Sequence, residues 1–197
     1  MASAAARQDR RKSIIAAAIE VFAKKGFHRS RVSDIAREAG VADGTIYLYF
    51  KSKDDLLITI FEEKMEMLIR EVRRVVDAVT EPRAKLRAFA RFHMSQVEDN
   101  RALSSVFQVE LRLSNKFMKE YAPQRLREYL DILGEIVRDG QELGVFRKDC
   151  NPIVVRRAFF GALDEIAMQW TLTPHPRYRL VSTAGEISEI FIRGLQV

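Results

Sequence analysis

Between residues 30 and 53 lies a run of side chains suited to gripping a nucleic-acid duplex: Ser30, Arg31 and Ser33, then Asp43, Gly44, Thr45, Tyr47, Leu48 and Tyr49, then Lys53. Hydroxyl, phenol, guanidinium and ammonium groups all donate hydrogen bonds, which is what phosphate oxygens accept. Asp43 can accept from cytosine N4, Gly44 leaves room for a thymine methyl, and Ser33 or Arg31 can reach another base edge. Plainer readings exist for two of them: Tyr47 as a half-buried core aromatic, Asp43 as a simple helix cap.

Apolar spacing supplies the elements that would aim these groups. Val32, Ile35, Ala36 and Ala39 recur at helical intervals, and Gly40 follows where a left-handed backbone excludes a Cβ. A second short helix is expected over 42–50, with Ile46 and Phe50 on its inner side. Ala36, Gly40 and Ile46 stand at the intervals that let two helices cross around a short turn. Ser30, Arg31 and Ser33 then fall at a helix N-terminus, whose free amides also favour phosphate. A preceding helix over 9–25 carries Ile15, Ala18, Ile19 and Phe22 on one face and stops at Gly26, and residues 1–9 read as a loose arm. Ser52 can cap a long helix with Asp54 and Asp55 in its first turn and a stripe of Leu57, Phe61, Met65, Leu68, Val72, Val75 and Val79.

Charge follows the same boundary. The chain of 197 residues carries 33 Lys+Arg against 27 Asp+Glu, a net of +6. Residues 1–53 hold 11 basic and 5 acidic residues, so the whole excess sits there and the remainder is neutral. A basic segment that coincides with a helix-turn-helix reads as a phosphate-facing patch rather than a merely solvated face.

Catalysis and metal binding find little support. His28, His93 and His175 are scattered, with no HExxH, phosphate loop or nucleophile elbow, and Asp164 and Glu165 are adjacent on a helix and diverge by about 100°. One cysteine, Cys150, provides neither a disulfide nor a metal framework and suits a cytoplasmic setting. No apolar run approaches the roughly 18 residues of a membrane span.

Further helices are expected at 101–118, 123–143, 152–172 and 182–194, with no alternating strand pattern, so the fold class is all-α with about nine helices. Residues 152–194 carry two broad apolar stripes: Val155, Ala158, Phe159, Ala162, Leu163, Ile166, Ala167 and Trp170, then Ile187, Ile190, Phe191 and Gly194. These serve either as intramolecular core or as a four-helix interface between two copies. Two-fold DNA half-sites favour the latter.

Taken together, GFHRSRVSDIAREAGVADGTIYLYFKSKDDLL resembles the TetR family of one-component regulators, with Ala42 where many members carry a capping Ser or Thr. That resemblance implies a helix-turn-helix head over 1–53 and a helical ligand-binding and dimerisation body over 54–197. It also implies phosphate contacts from Thr45, Tyr47, Tyr49 and Lys53, a homodimer on double-stranded operator DNA, and no cofactor. Together with Glu110-Leu-Arg-Leu-Ser-Asn115 and Phe160-Gly-Ala-Leu-Asp-Glu165, the pattern is similar to the repressors of fatty-acid degradation that long-chain acyl-CoA releases from DNA. A small hydrophobic effector of that kind needs an apolar lining, and eight of the 12 Phe follow residue 80. Phe89, Phe92, Phe107, Leu111, Phe160 and Trp170 are the candidates, with Asn115 and Glu165 as buried polar groups for a thioester or pantetheine amide. Arg83, Arg87, Arg91, Arg101, Arg112 and Lys116 are the candidate cations for a CoA head. A regulator answering to another lipid or a drug, including an activator, is the alternative.

Overall fold

A computed structural model describes residues 4–110 and 122–197. Among them every extended element is a helix, and a single bridge pairs Phe146 with Gln196. The helices are α1 (Ala4–Lys25), α2 (Val32–Glu38), α3 (Asp43–Tyr47), α4 (Lys53–Asp77), α5 (Pro82–Asp99), α6 (Arg101–Ser105), α7 (Ala122–Glu142), α8 (Pro152–Leu172) and α9 (Leu180–Leu195), and α6 widens into a π-helical turn over Val106–Glu110. No helix among the described residues is long and apolar enough to cross a membrane. The expected segment 101–118 is helical as far as it is described; Leu111, Arg112, Asn115 and Lys116 lie outside the described residues.

Two compact units emerge, one from residues 4–64 with 102–110, the other from 65–101 with 122–197. The division falls inside α4, whereas the charge boundary suggests 53/54. The first turns of α4 are built into the head: Arg11 Nη2 lies 2.5 Å from Glu63 Oε1, and Phe61 meets Phe107 at 5.4 Å between ring centres. A three-helix head has too little apolar surface to bury by itself, and Leu56, Leu57, Ile60 and Phe61 extend its core of Ile14, Ala18, Phe22, Phe27, Ile35, Ala36, Ile46 and Phe50. The N-terminal arm is a correction: residues from Ala4 onward are helical, because Ala4, Ala5 and Ala6 are strong helix formers that simply extend α1.

In the second unit α5 packs against α9, α7 and α8, and α8 packs against α7 and α9. Leu86, Phe89, Met94, Tyr129, Ile132, Leu133, Phe159, Leu163 and Ile192 fill the centre. Polar ties cross between elements. The carboxylate of Glu98 accepts from Arg179 Nε at 2.8 Å and from the Val181 amide at 2.9 Å, capping α9 from a distant helix. Those two donors hold its pKa below the usual carboxylate value, the Val181 amide having the larger effect. Arg73 pairs with Glu135, and Arg156 with Asp131.

Candidate functional site

The helix-turn-helix is set by the α2–α3 corner. Gly40 takes φ +66°, which an L side chain rarely adopts, and Val41 N then donates to Ala36 O at 2.9 Å to close the end of α2. Ala36 and Ile46 are both buried beneath the crossing. At its start, α2 is held by Asp34, whose carboxylate accepts from the Arg31 amide at 3.0 Å, from Lys25 at 2.7 Å and from Arg37 at 2.8 Å. The Lys25 hydrogen bond is the main reason its pKa lies below the usual value. The recognition helix is shorter than the expected 42–50. Regular α3 ends at Tyr47, and Leu48 and Tyr49 continue with tighter bonds to the carbonyls of Thr45 and Ile46, three residues back. Ala42 begins α3 without a side-chain cap.

Most of the proposed contact residues are open to solvent. Arg31, Ser33, Asp43 and Gly44 are exposed, Tyr47 is 58% exposed and Leu48 72%, while Thr45 and Tyr49 are half-buried. A Cβ at Gly44 would meet nothing within 4 Å, so another body can approach the backbone there. The core reading of Tyr47 does not fit its exposure. Arg7 of the helical extension lies 5.9 Å from the Tyr49 ring centre. Sequence spacing did not single out this cation, and its only signal was the basic run that opens α1.

Two residues are placed differently from expectation. Ser30 is only 3% exposed, and its hydroxyl donates to Gly26 O at 2.7 Å, so that side chain closes the α1–α2 turn and does not face outward. Lys53 donates its ammonium to Phe27 O at 2.7 Å and Ser30 O at 2.9 Å, over the Phe27 ring at 4.4 Å. A cation brought back from the start of α4, 23 to 26 positions along the chain, is the natural partner for carbonyls left open by that turn. Lys53→Met is therefore expected to destabilise the head by about 1.5–3 kcal/mol, the usual worth of hydrogen bonds to a charged group. Operator affinity should fall with the salt dependence unchanged. A slope reduced by about 0.9 would put the ammonium on a phosphate instead.

In the second unit the aromatic candidates Phe89 and Phe160 come together, joined by two residues that the sequence pattern had left aside, His93 and Tyr129. Phe89 and Tyr129 ring centres are 5.1 Å apart, and His93 meets Phe160 edge-on at 5.4 Å. His93 continues the Leu86–Phe89–Ala90 stripe, so a polar residue at an apolar position was the available signal. Phe92 is half-buried. Phe107 belongs to the first unit, beside Phe61. Trp170 donates Nε1–H to Tyr178 O at 3.0 Å and carries Arg101 over its ring at 5.2 Å. Arg101 is thereby corrected as a CoA cation: it donates to Thr171 O at 2.9 Å and to Thr173 O, closing the free carbonyls at the end of α8. Arg87 pairs with Glu189 at 2.7 Å. Glu165 is not the buried polar group expected. It is exposed and accepts from Gln169 Nε2 at 3.0 Å, because its position falls on the outer side of α8. Among the described residues no cluster of His, Cys, Asp or Glu could hold a metal.

Residues 14–60 match the bacterial regulatory proteins of the tetR family, and residues 61–194 match the C-terminal region of YsiA-like proteins. The fatty acid metabolism regulator protein of Bacillus subtilis (strain 168) is 37% identical over 92% of this chain and 93% of its own length. The structure of the Bacillus subtilis regulator FadR in complex with stearoyl-CoA superposes with a TM-score of 0.87 at 37% identity, covering 93% of this chain and 98% of that one. The fatty acid degradation regulator FadR from Bacillus halodurans gives 0.88 at 35% identity, covering 94% and 95%. With a helix-turn-helix head, a helical C-terminal unit and family matches across nearly its whole length, the chain belongs to the TetR family of transcriptional regulators and is not an enzyme.

Proposed function

We propose that this chain is a dimeric repressor of fatty-acid degradation genes that long-chain acyl-CoA releases from operator DNA. The observation that carries the reading is its likeness, over nearly its whole length, to a regulator whose structure holds stearoyl-CoA. The exposure of Arg31, Ser33, Asp43, Gly44, Tyr47 and Leu48, with Thr45 and Tyr49 half-buried, on a basic head supports the DNA-binding half. Phosphate contacts from Thr45, Tyr47 and Tyr49 would set register, and Asp43, Gly44 and Ser33 would read base edges.

Dimerisation through α8 and α9 is supported by what the protomer leaves uncovered. Phe159, Leu163, Ala167 and Trp170 are committed to the core, whereas Val154, Ala158 and Gly161 on α8 and Ile190 and Gly194 on α9 are exposed, Ile190 by 70%. A Cβ on Gly161 or Gly194 would meet nothing within 4 Å, leaving room for close approach of a second copy. A two-fold dimer presents its recognition helices about 34–36 Å apart, one turn of DNA.

Release needs only that effector bind better to a conformation whose heads are wrongly spaced. The chain passes from one unit to the other within α4 and again at Arg101–Ala102, so a change in the effector unit has a covalent route to the head. A coupling of about 1–3 kcal/mol makes operator binding roughly 5- to 150-fold weaker. Fluorescence anisotropy on an operator selected in vitro should show that weakening with stearoyl-CoA and little change with CoA alone, since the apolar tail supplies the differential burial. Identical titrations with and without saturating stearoyl-CoA would overturn the effector assignment and favour a different lipid or a drug.

A further inference from the structure

The His93 imidazole sits in an aromatic box with one of its two nitrogens engaged. Phe89 lies parallel to it at 6.5 Å, Phe160 stands edge-on at 5.4 Å, and Tyr129 is 6.1 Å away, all between ring centres. Nδ1 is 3.2 Å from Tyr129 Oη, while Nε2 is buried and meets no hydrogen-bonding group of the protein. Buried polar atoms in folded proteins are nearly always paired, and an unpaired N–H among aromatic rings is costly to keep. Such an atom marks a place where a ligand atom gains more than it would in water.

The direction of the bond follows from which proton would otherwise lack an acceptor. Burial lowers the His93 pKa to about 4, so the ring is neutral at physiological pH. Burial also pushes the Tyr129 phenol upward, so its proton stays in place. Were Nδ1–H the donor, the phenol proton would be stranded, since Nδ1 is the hydrogen-bonding atom that Tyr129 Oη meets among the described residues; with the phenol donating to Nδ1, the imidazole proton lies on Nε2. The box thus presents a neutral donor in apolar surroundings. The charged group whose field reaches the ring is Asp164, which is negative and disfavours a carboxylate there. A neutral carbonyl oxygen fits, and an acyl-CoA has one directly beside its apolar chain, the thioester carbonyl.

Resting on the effector reading above, we propose that His93 Nε2–H donates to the thioester carbonyl of bound acyl-CoA and that Tyr129 is the positioning residue that fixes the tautomer. His93 then separates thioesters from chains that end in a carboxylate or lack the oxygen. Phe89 and Phe160 hold the ring edge toward the ligand and exclude water from the bond.

The test compares two ligands on the full-length protein by calorimetry: stearoyl-CoA and S-octadecyl-CoA, the thioether of the same chain length without the carbonyl. Wild type should prefer the thioester by about tenfold (about 1.4 kcal/mol). His93→Leu should remove that preference while still binding both ligands through their tails. His93→Gln, which keeps a donor, should retain part of it, and Tyr129→Phe should reduce it because the tautomer is no longer fixed. Equal binding of the two ligands by wild type, or a preference that survives in His93→Leu, overturns the proposal while leaving acyl-CoA as effector. Binding of neither ligand by wild type removes the effector reading and this inference with it. Should His93→Leu fail to fold, the wild-type comparison and Tyr129→Phe still decide.

Discussion

Gly140→Ala is expected to lower the thermal midpoint by about 4–16 °C, a loss of about 2–4 kcal/mol at the few degrees per kcal/mol usual for a chain of this size. Gly140 lies in the last turn of α7 and is itself buried. A Cβ built there overlaps one edge of the Phe146 ring, at Cδ2 and Cε2, and crowds Cγ as well, so rotating the ring tip away does not relieve the overlap. Nor can the loop retreat easily. The amides of Val145 and Phe146 both donate to Gly140 O, at 2.8 and 2.9 Å, and Arg147 N donates to Leu195 O at 2.7 Å beside the Phe146–Gln196 bridge. Alanine is the better helix former by about 1 kcal/mol, but overpacking costs about 1–3 kcal/mol and displacing a fully buried phenylalanine about 3–5 kcal/mol. The clash wins. Circular-dichroism melts at matched protein concentration check the result, and a midpoint at or above wild type would mean the ring yields freely.

Acidification should destabilise the second unit between about pH 6.5 and pH 4, before most carboxylates are protonated. His93 titrates near 6.5 when unfolded and near 4 when folded, because burial penalises the imidazolium more than the negative Asp164 favours it. Within that window the unfolded chain binds more protons, so stability is full above pH 6.5 and falls as pH drops toward 4. At about 1.4 kcal/mol per unit, the window is worth about 3 kcal/mol at most. Glu98 acts at lower pH: its pKa lies below 4.5 in the fold, so the stability it contributes is lost only as pH falls through that lowered value. Urea unfolding of wild type and His93→Leu over pH 4–7 separates the two effects. The variant should lose the slope above pH 4.5, and an equal slope in both proteins would assign the acid sensitivity elsewhere.

Local patterns were enough to place the head. Val32, Ile35, Ala36, Gly40 and Ile46 specify two crossing helices because each interaction involves residues within ten positions of one another, where helical period and a single positive-φ glycine leave few alternatives. The same locality misled at the α1–α2 turn. Ser30 and Lys53 have the right chemistry for phosphate, yet the Gly26 carbonyl four residues back takes the Ser30 proton, and the carbonyls of Phe27 and Ser30 take those of Lys53 once α4 is folded beside the turn.

By itself the sequence determined an all-α chain with a basic helix-turn-helix, a family and the apolar faces of most helices, because periodicity, capping and charge are carried by near neighbours. Only the tertiary structure decided which polar side chains are spent internally and which remain free. Arg101 closes the end of α8, Glu98 caps α9 and Glu165 turns outward. His93, one polar residue in an apolar stripe, acquires meaning from Tyr129 and Phe160, 36 and 67 positions away along the chain. A hydrogen-bond partner is chosen by distance in space, and a helical stripe says which face is buried without saying what will meet it.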